Sequence, residues 1–522
     1  MSKKLLKSTA TVSGMTLLSR ILGFARDVVI ARAFGAGLGT DAFFVAFKIP
    51  NFMRRLFAEG AFSQAFVPVL SEYKTQRPHD DVKRLTSAVI GTLGGVLFVI
   101  VLMGILLAPL LVVIFAPGFT GVEDKFELTV LMLRITFPYL LFISLTALAG
   151  GLLNSYGQFG VPAFTPVFLN ISLILAAIVV SPHMNNPIVG LSWGVLVAGV
   201  IQLIFQFPYL KRLGILTWPR WGWREEGVRR IVRLMLPAIF GSSVAQINLL
   251  IDTLIASFLV TGSVSWLYYS DRLVEFPLGV LGIALATVIL PRLSRIHSQA
   301  SKEEFSQTLD WALRWAFIIG TPATIGLMVL AGPLLTTLFQ YGEFSPQDVT
   351  MASLSLMAYS VGLLGFILVK VLAPGFYARQ DTRTPVRIGV IALVCNMGMN
   401  ILFVLPMLYF GVQGPHAGLA LATSLGAFVN AGLLYQTLCK EKIYHRKSGW
   451  AVFLLRITLA TLVMAVLLLW GTGDIASWFH ERATYRALRL ITWVACGAFA
   501  YFISLFMFGL RFTDLGKISN EH

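Results

Sequence analysis

Apolar residues along this chain are grouped into runs of about 20, separated by short breaks that are charged or rich in proline and glycine. As an α-helix, a run of about 20 apolar residues is long enough to cross roughly 30 Å of hydrocarbon. Residues 96–116 are apolar on every face and lack the two-residue alternation of an outer-membrane strand. The pattern therefore predicts an all-α polytopic membrane protein and argues against a β-barrel.

The runs predict fourteen transmembrane helices. They cover approximately residues 11–34, 41–70, 87–116, 128–153, 161–180, 188–210, 234–258, 265–290, 307–340, 349–376, 388–406, 416–438, 451–471 and 487–510. An even number places both termini on one side of the membrane. The tails and loops of that side carry 26 Lys and Arg residues, whereas the opposite loops carry three, Lys125, Arg482 and Arg486. The positive-inside rule predicts cytoplasmic termini in a bacterial inner membrane.

Composition supports the same class. Of 522 residues, 57% are hydrophobic and 13% are charged, which leaves too little polar surface for a soluble fold. The net charge of +16 mostly reflects the loop bias, and because no basic domain stands outside the membrane, nucleic-acid binding is not expected. Cys395, Cys439 and Cys496 lie in or beside different spans and suggest neither a disulfide framework nor a metal site.

A short sequence recurs after 223 residues: Ala65–Ser71 reads AFVPVLS and Val288–Ser294 reads VILPRLS. A displacement of six helices preserves orientation, so it predicts two parallel six-helix lobes around a central cavity. The corresponding domains are 1–222, 223–446 and 447–522, the last holding two additional helices. Chance recurrence of a helix-ending proline motif is the alternative.

Twelve basic residues fall inside the predicted spans. Five lie within about two turns of a span end, where a long side chain is expected to reach the interface: Arg32, Arg134, Arg314, Arg456 and Arg489. The twelfth is Lys370, and six lie deeper, namely Arg20, Arg26, Lys48, Arg54, Arg55 and Arg272. Each deep charge costs about 2.5–3.5 kcal/mol if it faces lipid, so these residues are expected to line water or pair with acids.

The acids in these segments are Asp27, Asp41, Glu59, Asp271 and Glu275. Helical spacing predicts ion pairs between Arg272 and Glu275 and between Arg55 and Glu59. Arg20, Arg26 and Arg54 have no acid at that spacing, which favours an anion-binding cavity over a buried network neutralised by Asp41. Helix breaks predicted at Gly23, at Lys48–Asn51 and at Glu275–Pro277 also suit a transport site.

Arginine clusters suit a diphosphate, because the planar guanidinium donates two parallel hydrogen bonds and stays charged. A glycine-rich loop followed by Lys-Ser/Thr is absent from the sequence, as is a His-Glu-x-x-His motif. The sequence therefore predicts a transporter with no catalytic residues, metal or cofactor.

Several stretches closely resemble the MurJ (MviN) family of lipid II flippases along essentially the whole chain. They are Ser19–Asp27, Thr40–Asn51, Phe57–Pro68, Tyr268–Leu273 and Val369–Tyr377. The resemblance implies a fold similar to that of multidrug and oligosaccharidyl-lipid exporters, with a groove for the lipid tail at the last two spans. It also implies alternating access that moves lipid II, the lipid-linked peptidoglycan precursor, from the cytoplasmic to the periplasmic leaflet.

The resemblance assigns substrate binding to Arg20, Arg26, Arg54 and Arg272, the residues that charge placement also selects. The expected gating and cavity residues are Asp41, Lys48, Asn51, Arg55, Glu59, Asp271, Glu275 and Lys370. The expected partners are lipid II, membrane lipids and cell-wall synthesis proteins.

Three other interpretations stay open. An exporter of another polyprenyl-pyrophosphate-linked oligosaccharide shares the same anion, a cation-coupled multidrug exporter needs acidic cavity residues, and a scaffold for wall-synthesis proteins leaves the deep arginines unexplained. A sodium site is not supported, because span seven offers Asp252 but span eleven offers only Asn396 and Asn400. Membrane potential, about 2.3 kcal/mol per charge per 100 mV, is the alternative driving force.

Overall fold

The computed structural model describes residues 3–56, 62–299 and 301–510. Within those ranges the chain is built of helices and turns and contains no β-strand, which confirms the all-α class. The chain divides into two compact units, Met1–Ser265 and Trp266–His522, called here the first and second units.

The described residues of the first unit form eleven helices. They are α1 Lys3–Phe34, α2 Leu38–Arg54, α3 Ser63–Gln76, α4 His79–Leu106, α5 Ala108–Phe115, α6 Glu123–Thr136, α7 Tyr139–Ser155, α8 Gly160–Phe164, α9 Pro166–Leu175, α10 Val189–Arg212 and α11 Glu226–Ser257.

The remaining helices belong to the second unit, apart from the first residues of α12. They are α12 Ser263–Pro277, α13 Ile283–Ser298, α14 Lys302–Val329, α15 Ala331–Phe339, α16 Pro346–Leu372, α17 Pro374–Tyr377, α18 Arg383–Tyr409, α19 His416–Lys440, α20 Trp450–Thr472, α21 Ala476–Phe479 and α22 Ala483–Met507.

All fourteen predicted spans coincide with helices, and several are divided by a short break, as in α6 and α7 or α14 and α15. By length and composition, ten helical segments of the described chain can cross a membrane, or eleven if the bent pair α12 and α13 is one span. Three predicted spans do not meet this requirement of length and apolar composition, namely α1, α2 with α3, and α11. The first two hold five of the six deep basic residues, and α2 and α3, at 17 and 14 residues, are each too short to cross the bilayer alone. The count of fourteen therefore stays a prediction.

Two of the predicted helix breaks are wrong. Helix α1 continues through Gly23, whose Cα faces the Asn170 side chain, and α2 continues through Pro50 to Arg54. The backbone changes just after α2 instead, where Arg55 and Leu56 form a π-helical turn. The third predicted break is confirmed, because α12 ends at Pro277 and a π-helical turn, Leu278–Gly282, follows it.

Each unit has its own core. In the first unit, α3, α4 and α7 bury a cluster of aliphatic and aromatic side chains that includes Phe66, Leu85 and Leu152. In the second unit, α16 and α19 approach closely: a Cβ on Gly362 would lie 2.6 Å from Ser424. Such contacts between small residues are how helices associate in a bilayer, where packing replaces hydrophobic exclusion.

The last two long helices are attached to the second unit. The Tyr501 hydroxyl of α22 donates a hydrogen bond to the Ile318 carbonyl of α14 over 2.7 Å, and Gly471 of α20 makes room for the Trp493 ring of α22. By contacts, the chain divides after Ser265, so α11 is grouped with the first unit. The repeat-based division at 222/223 and 446/447 rests on a different criterion and stays a prediction.

Candidate functional site

Arg26 of α1 lies in a buried polar cluster of the first unit. Its Nε and Nη2 both donate to Asp27 Oδ1, over 2.9 and 2.6 Å, and its Nη1 donates to Asn170 Oδ1 of α9 over 3.0 Å. Asn170 in turn donates to the Ser19 carbonyl, which joins α9 to α1. Arg26 is 7% exposed. Arg26 has no acid at helical spacing, as the sequence indicates, but it pairs with the adjacent Asp27.

The other two arginines without an acid at helical spacing differ from Arg26 in exposure. Arg20 is exposed and makes no ion pair or hydrogen bond with the part of the chain that the structure describes. Arg54 is half-buried at the end of α2, and its Nε donates to Asn51 Oδ1 over 2.9 Å. Arg20 therefore keeps a charge that no carboxylate within the described ranges neutralises.

Asp41 is a buried carboxylate of the first unit, and both of its oxygens accept hydrogen bonds. Its Oδ2 accepts from Lys125 Nζ of α6 and from the Gly262 backbone N–H, both over 2.8 Å. Its Oδ1 accepts from the Ser265 backbone N–H over 2.9 Å and from Ser265 Oγ over 2.7 Å. Asp41 and Lys125 are buried as an ion pair, and Lys125 also lies 4.2 Å from the centre of the Phe119 ring. Asp41 thus connects α2, α6 and the turn that begins α12.

Lys125 was missed as a site residue. It stands just before the fourth predicted span, where a lone basic residue is expected in solvent, and its partner Asp41 lies 84 positions earlier. Asn170 was also missed as a site residue, because it lies 144 positions from its partner Arg26. No pattern of nearby residues signals either contact.

Lys48 lies in the second half of α2 and Arg55 directly follows its last residue, and both side chains are half-buried. Lys48 Nζ donates a hydrogen bond to Thr253 Oγ1 of α11. Glu59 lies outside the described residues, so the predicted Arg55–Glu59 pair stays a prediction.

In the second unit, the predicted pair between Arg272 and Glu275 of α12 is confirmed, with Arg272 Nη1 donating to Glu275 Oε2 over 2.7 Å. The guanidinium also lies 5.0 Å from the centre of the Tyr268 ring. Asp271 is half-buried. Lys370 of α16 is exposed, and its stem lies beside Gly282 in the π-helical turn that follows α12.

Three of the five span-end arginines donate hydrogen bonds to other residues. Arg456 Nη1 donates to the Gly509 carbonyl over 3.1 Å. Arg314 Nε donates to Asp310 Oδ2 over 2.8 Å, and Arg489 Nη1 donates to Glu481 Oε1 over 2.8 Å. These contacts do not test the expectation that the side chains reach the interface, which stays a prediction. The acid one helical turn from Arg314 was visible in the sequence.

The polar residues of the eleventh span form a small amide cluster. Asn400 Nδ2 donates to Asn396 Oδ1 over 3.0 Å, and Asn396 Nδ2 donates to Thr423 Oγ1 over 3.3 Å. Among residues 3–56, 62–299 and 301–510, no three His, Cys, Asp or Glu side chains come together as a metal site.

These features define a class: a multi-pass helical membrane protein with paired, buried and exposed charged side chains within its spans. A family model described as "Lipid II flippase MurJ" matches residues 30–486. A probable lipid II flippase of Vibrio cholerae serotype O1 is 50% identical over 98% of each chain, and one of Haemophilus influenzae is 48% identical over 95% of this chain and 98% of its own. The chain belongs to the MurJ family of lipid II flippases, which are transporters of the inner membrane and not enzymes.

Solved structures agree with this assignment. A lipid II flippase in an inward-closed conformation superimposes with a TM-score of 0.80 and 26% identity, over 97% of this chain and 99% of that one. An inward-facing multidrug resistance transporter of the MATE family gives a TM-score of 0.62 at 16% identity, over 83% of this chain and 98% of its own. The second likeness shows a shared fold and nothing about substrate.

Proposed function

We propose that this protein translocates lipid II from the cytoplasmic to the periplasmic leaflet by alternating access. The observation that carries the proposal is the state of the arginines in α1 and α2. Arg26 is buried against Asp27 and Asn170, Arg54 is held by Asn51, and Arg20 is exposed without an ion pair in the part of the chain that the structure describes. Fixed cations of this kind suit the pyrophosphate of a lipid-linked precursor.

In this proposal Arg20, Arg26, Arg54 and Arg272 contact the pyrophosphate. Arg26 is held in a fixed rotamer by two partners, so its orientation is set before substrate arrives. Asn51 positions Arg54, and Glu275 with Tyr268 positions Arg272. Lys48, Arg55, Glu59, Asp271 and Lys370 are proposed to shape the same path.

Asp41 is proposed to act in gating. It holds Lys125, Gly262 and Ser265 together through four hydrogen bonds. Breaking such a buried ion pair is costly, so a conformation that keeps it is favoured until substrate binding compensates.

The proposed orientation places both termini in the cytoplasm. Of the three basic residues assigned to the opposite side, Lys125 and Arg486 are buried in hydrogen-bonded positions, and Arg482 alone is exposed. The imbalance of exposed positive charge is therefore greater than the sequence count indicates. Membrane potential acting on the cationic residues is the proposed driving force, and wall-synthesis proteins are proposed as additional partners.

Reconstitution tests the substrate. Full-length protein in vesicles is given lipid II or a different polyprenyl-pyrophosphate-linked oligosaccharide, and transfer between leaflets is scored with and without an imposed potential. Arg20→Ala and Arg26→Ala should each remove lipid II transfer, whereas Arg134→Ala, which alters an exposed arginine of α6, should not. Equal transfer by wild type and Arg26→Ala would exclude the proposed role, and preference for the other oligosaccharide would exclude lipid II as the main substrate.

A further inference from the structure

Residues 213–223, called here the strap, cross the surface of α4 in the first unit. The Arg220 backbone N–H donates to the Ser87 carbonyl over 3.1 Å, and Ser87 Oγ donates to the Trp218 carbonyl over 2.5 Å. The Gly222 N–H donates to Thr92 Oγ1 over 3.0 Å. Three hydrogen bonds within five strap residues fix the strap to two successive turns of α4.

Small residues let the strap approach the helix closely. A Cβ on Gly91 would lie 2.2 Å from the Arg220 carbonyl oxygen, and a Cβ on Gly95 would lie 2.8 Å from the Trp221 ring. From the strap side, a Cβ on Gly222 would lie 2.3 Å from the Ala88 Cβ. Such distances leave no room for any side chain. The strap is therefore a fixed wall of the first unit, not a loose connection.

Behind this wall lies a cavity of about 410 Å³ enclosed by α4, α7, α10 and the strap. Its lining includes Ile90, Leu145, Ala149, Leu203, Phe207 and Trp218, and Thr217 contributes its one hydroxyl. The volume falls within the range of small-ligand sites, about 300–1,000 Å³. An apolar lining without paired polar groups suits hydrocarbon and not a sugar, a peptide or an ion.

Basic residues adjoin the lining residues of this cavity in the sequence. Lys211 and Arg212 follow the lining residue Leu210, and Arg220 follows the lining residue Pro219. Together with Arg224 they are exposed, and none makes an ion pair with a carboxylate in the described ranges.

Two neighbouring basic residues, in contrast, do form ion pairs with carboxylates. Arg84 pairs with Glu225 over 3.1 Å, and Arg230 pairs with Glu72 over 2.8 Å. Glu225 and Glu72 are therefore used by other cations, and the basic residues next to the cavity lining remain able to contact an external anion.

Exposed tryptophans complete the site. Trp218 is 88% exposed and Trp221 is 67% exposed, although both belong to a strap whose backbone is fixed. Tryptophan side chains in such positions are typical of the level of lipid headgroups. The strap therefore combines an apolar cavity, exposed aromatic rings and exposed cations, the three features that suit the chain, the glycerol region and the phosphate of a phospholipid.

We propose that the cavity binds one acyl chain of an anionic phospholipid, whose phosphate contacts Arg212 and Arg220. In the orientation proposed above, the lipid comes from the cytoplasmic leaflet. The site is separate from the proposed pyrophosphate residues and uses no residue assigned to them.

Native mass spectrometry of the delipidated full-length protein tests the proposal with phosphatidylglycerol and phosphatidylcholine of equal chain length. Ala149→Phe fills the chamber and should weaken the tightest phosphatidylglycerol site more than about tenfold, since each methylene excluded weakens binding about fourfold. Arg212→Gln/Arg220→Gln should lower the preference for phosphatidylglycerol about fivefold per charge removed. Arg229→Gln/Arg233→Gln removes the same charge from exposed positions of α11 and should leave that preference unchanged.

A second measurement does not depend on folding of any variant. Phosphatidylglycerol with a photoreactive group in its acyl chain is added to wild-type protein, and cross-linked peptides are mapped. Labels should concentrate in residues 145–152 and 203–219. Labelling that avoids both segments, unchanged binding by a folded Ala149→Phe variant, or equal loss of preference in the two charge pairs would overturn the proposal. Tighter binding of a polyprenyl phosphate than of phosphatidylglycerol at these peptides would also overturn it.

Discussion

Two buried aspartates, one in each unit, accept several hydrogen bonds each but differ in where their ionic partner lies. Asp41 accepts four hydrogen bonds from Lys125, Gly262 and Ser265, and its ionic partner comes from a distant helix. Asp310 accepts from Tyr444 over 2.7 Å, from Trp450 over 2.8 Å and from Arg314, which lies one turn along the same helix.

The basic partners of the two aspartates differ in exposure to solvent and in the contacts that remain to them if the aspartate is replaced. The Lys125 side chain is 4% exposed, whereas that of Arg314 is 21% exposed and lies about 5 Å from the Trp450 and Phe453 rings. Loss of Asp41 would leave a buried, uncompensated ammonium, while loss of Asp310 would leave a guanidinium with water and aromatic faces. The comparison teaches that burial of the partner, more than the number of hydrogen bonds, sets the cost of breaking a pair.

Asp41→Asn should have the largest effect. We expect a loss of about 3–5 kcal/mol of unfolding free energy, because the Lys125 charge stays buried without its counter-charge. Adding Lys125→Met should recover part of that loss, since no unpaired charge then remains. Unfolding by denaturant in detergent, followed by tryptophan fluorescence, measures both variants. A double variant less stable than Asp41→Asn would contradict the assigned ion pair.

Asp310→Asn should cost less, about 1–3 kcal/mol, because Arg314 is partly solvated and stacked. The amide also keeps one oxygen for Tyr444 or Trp450. Glu343→Gln, at an exposed position of the same unit, is the control and should leave the unfolding midpoint unchanged. If Asp310→Asn proved as damaging as Asp41→Asn, exposure of the partner would not be the deciding factor.

Tyr444→Phe should cost about 1 kcal/mol, the usual net value of one hydrogen bond. Burial and the neighbouring Asp310 raise the pKa of the Tyr444 phenol, so the hydroxyl remains a donor over the ordinary pH range. In an Asp310→Asn background the same substitution should cost less, because the two side chains share one interaction. A double-mutant cycle of unfolding midpoints checks this, and strict additivity would mean that the bond contributes nothing.

Glu72→Gln should have the smallest effect, since its pair with Arg230 is exposed and screened by salt. The Arg230 hydrogen bond lowers the pKa of Glu72 below its ordinary value. A lowered carboxyl pKa stabilises the fold above the unfolded-state pKa, and that contribution is lost as pH falls through the folded-state pKa. The difference in melting temperature between wild type and Glu72→Gln should therefore vanish in acid and at high salt. Thermal melts at several pH values will show this.

The hydrophobic pattern of the chain was enough to predict the helical class and the position of every long helix, because the bilayer demands long apolar helices. It also located Arg20, Arg26 and Arg54 as unusual, since charge is rare in such segments. Helix interruptions were less predictable: Gly23 and Pro50 lie within continuous helices. A single glycine or proline sets a local preference, and packing against neighbouring helices decides whether it becomes a break.

Partners of the charged residues divide by sequence distance. The Arg272–Glu275 pair follows from helical spacing, and Asp310–Arg314 was equally visible. The sequence by itself determined how many charges lie within apolar segments and which acids stand one turn away. Only the tertiary structure decided that Asp41 meets Lys125, that Arg26 meets Asn170 and that the strap closes an apolar cavity on α4. Contacts within one helix follow from its 3.6-residue period, whereas contacts between helices depend on which faces pack together, and no local pattern records that choice.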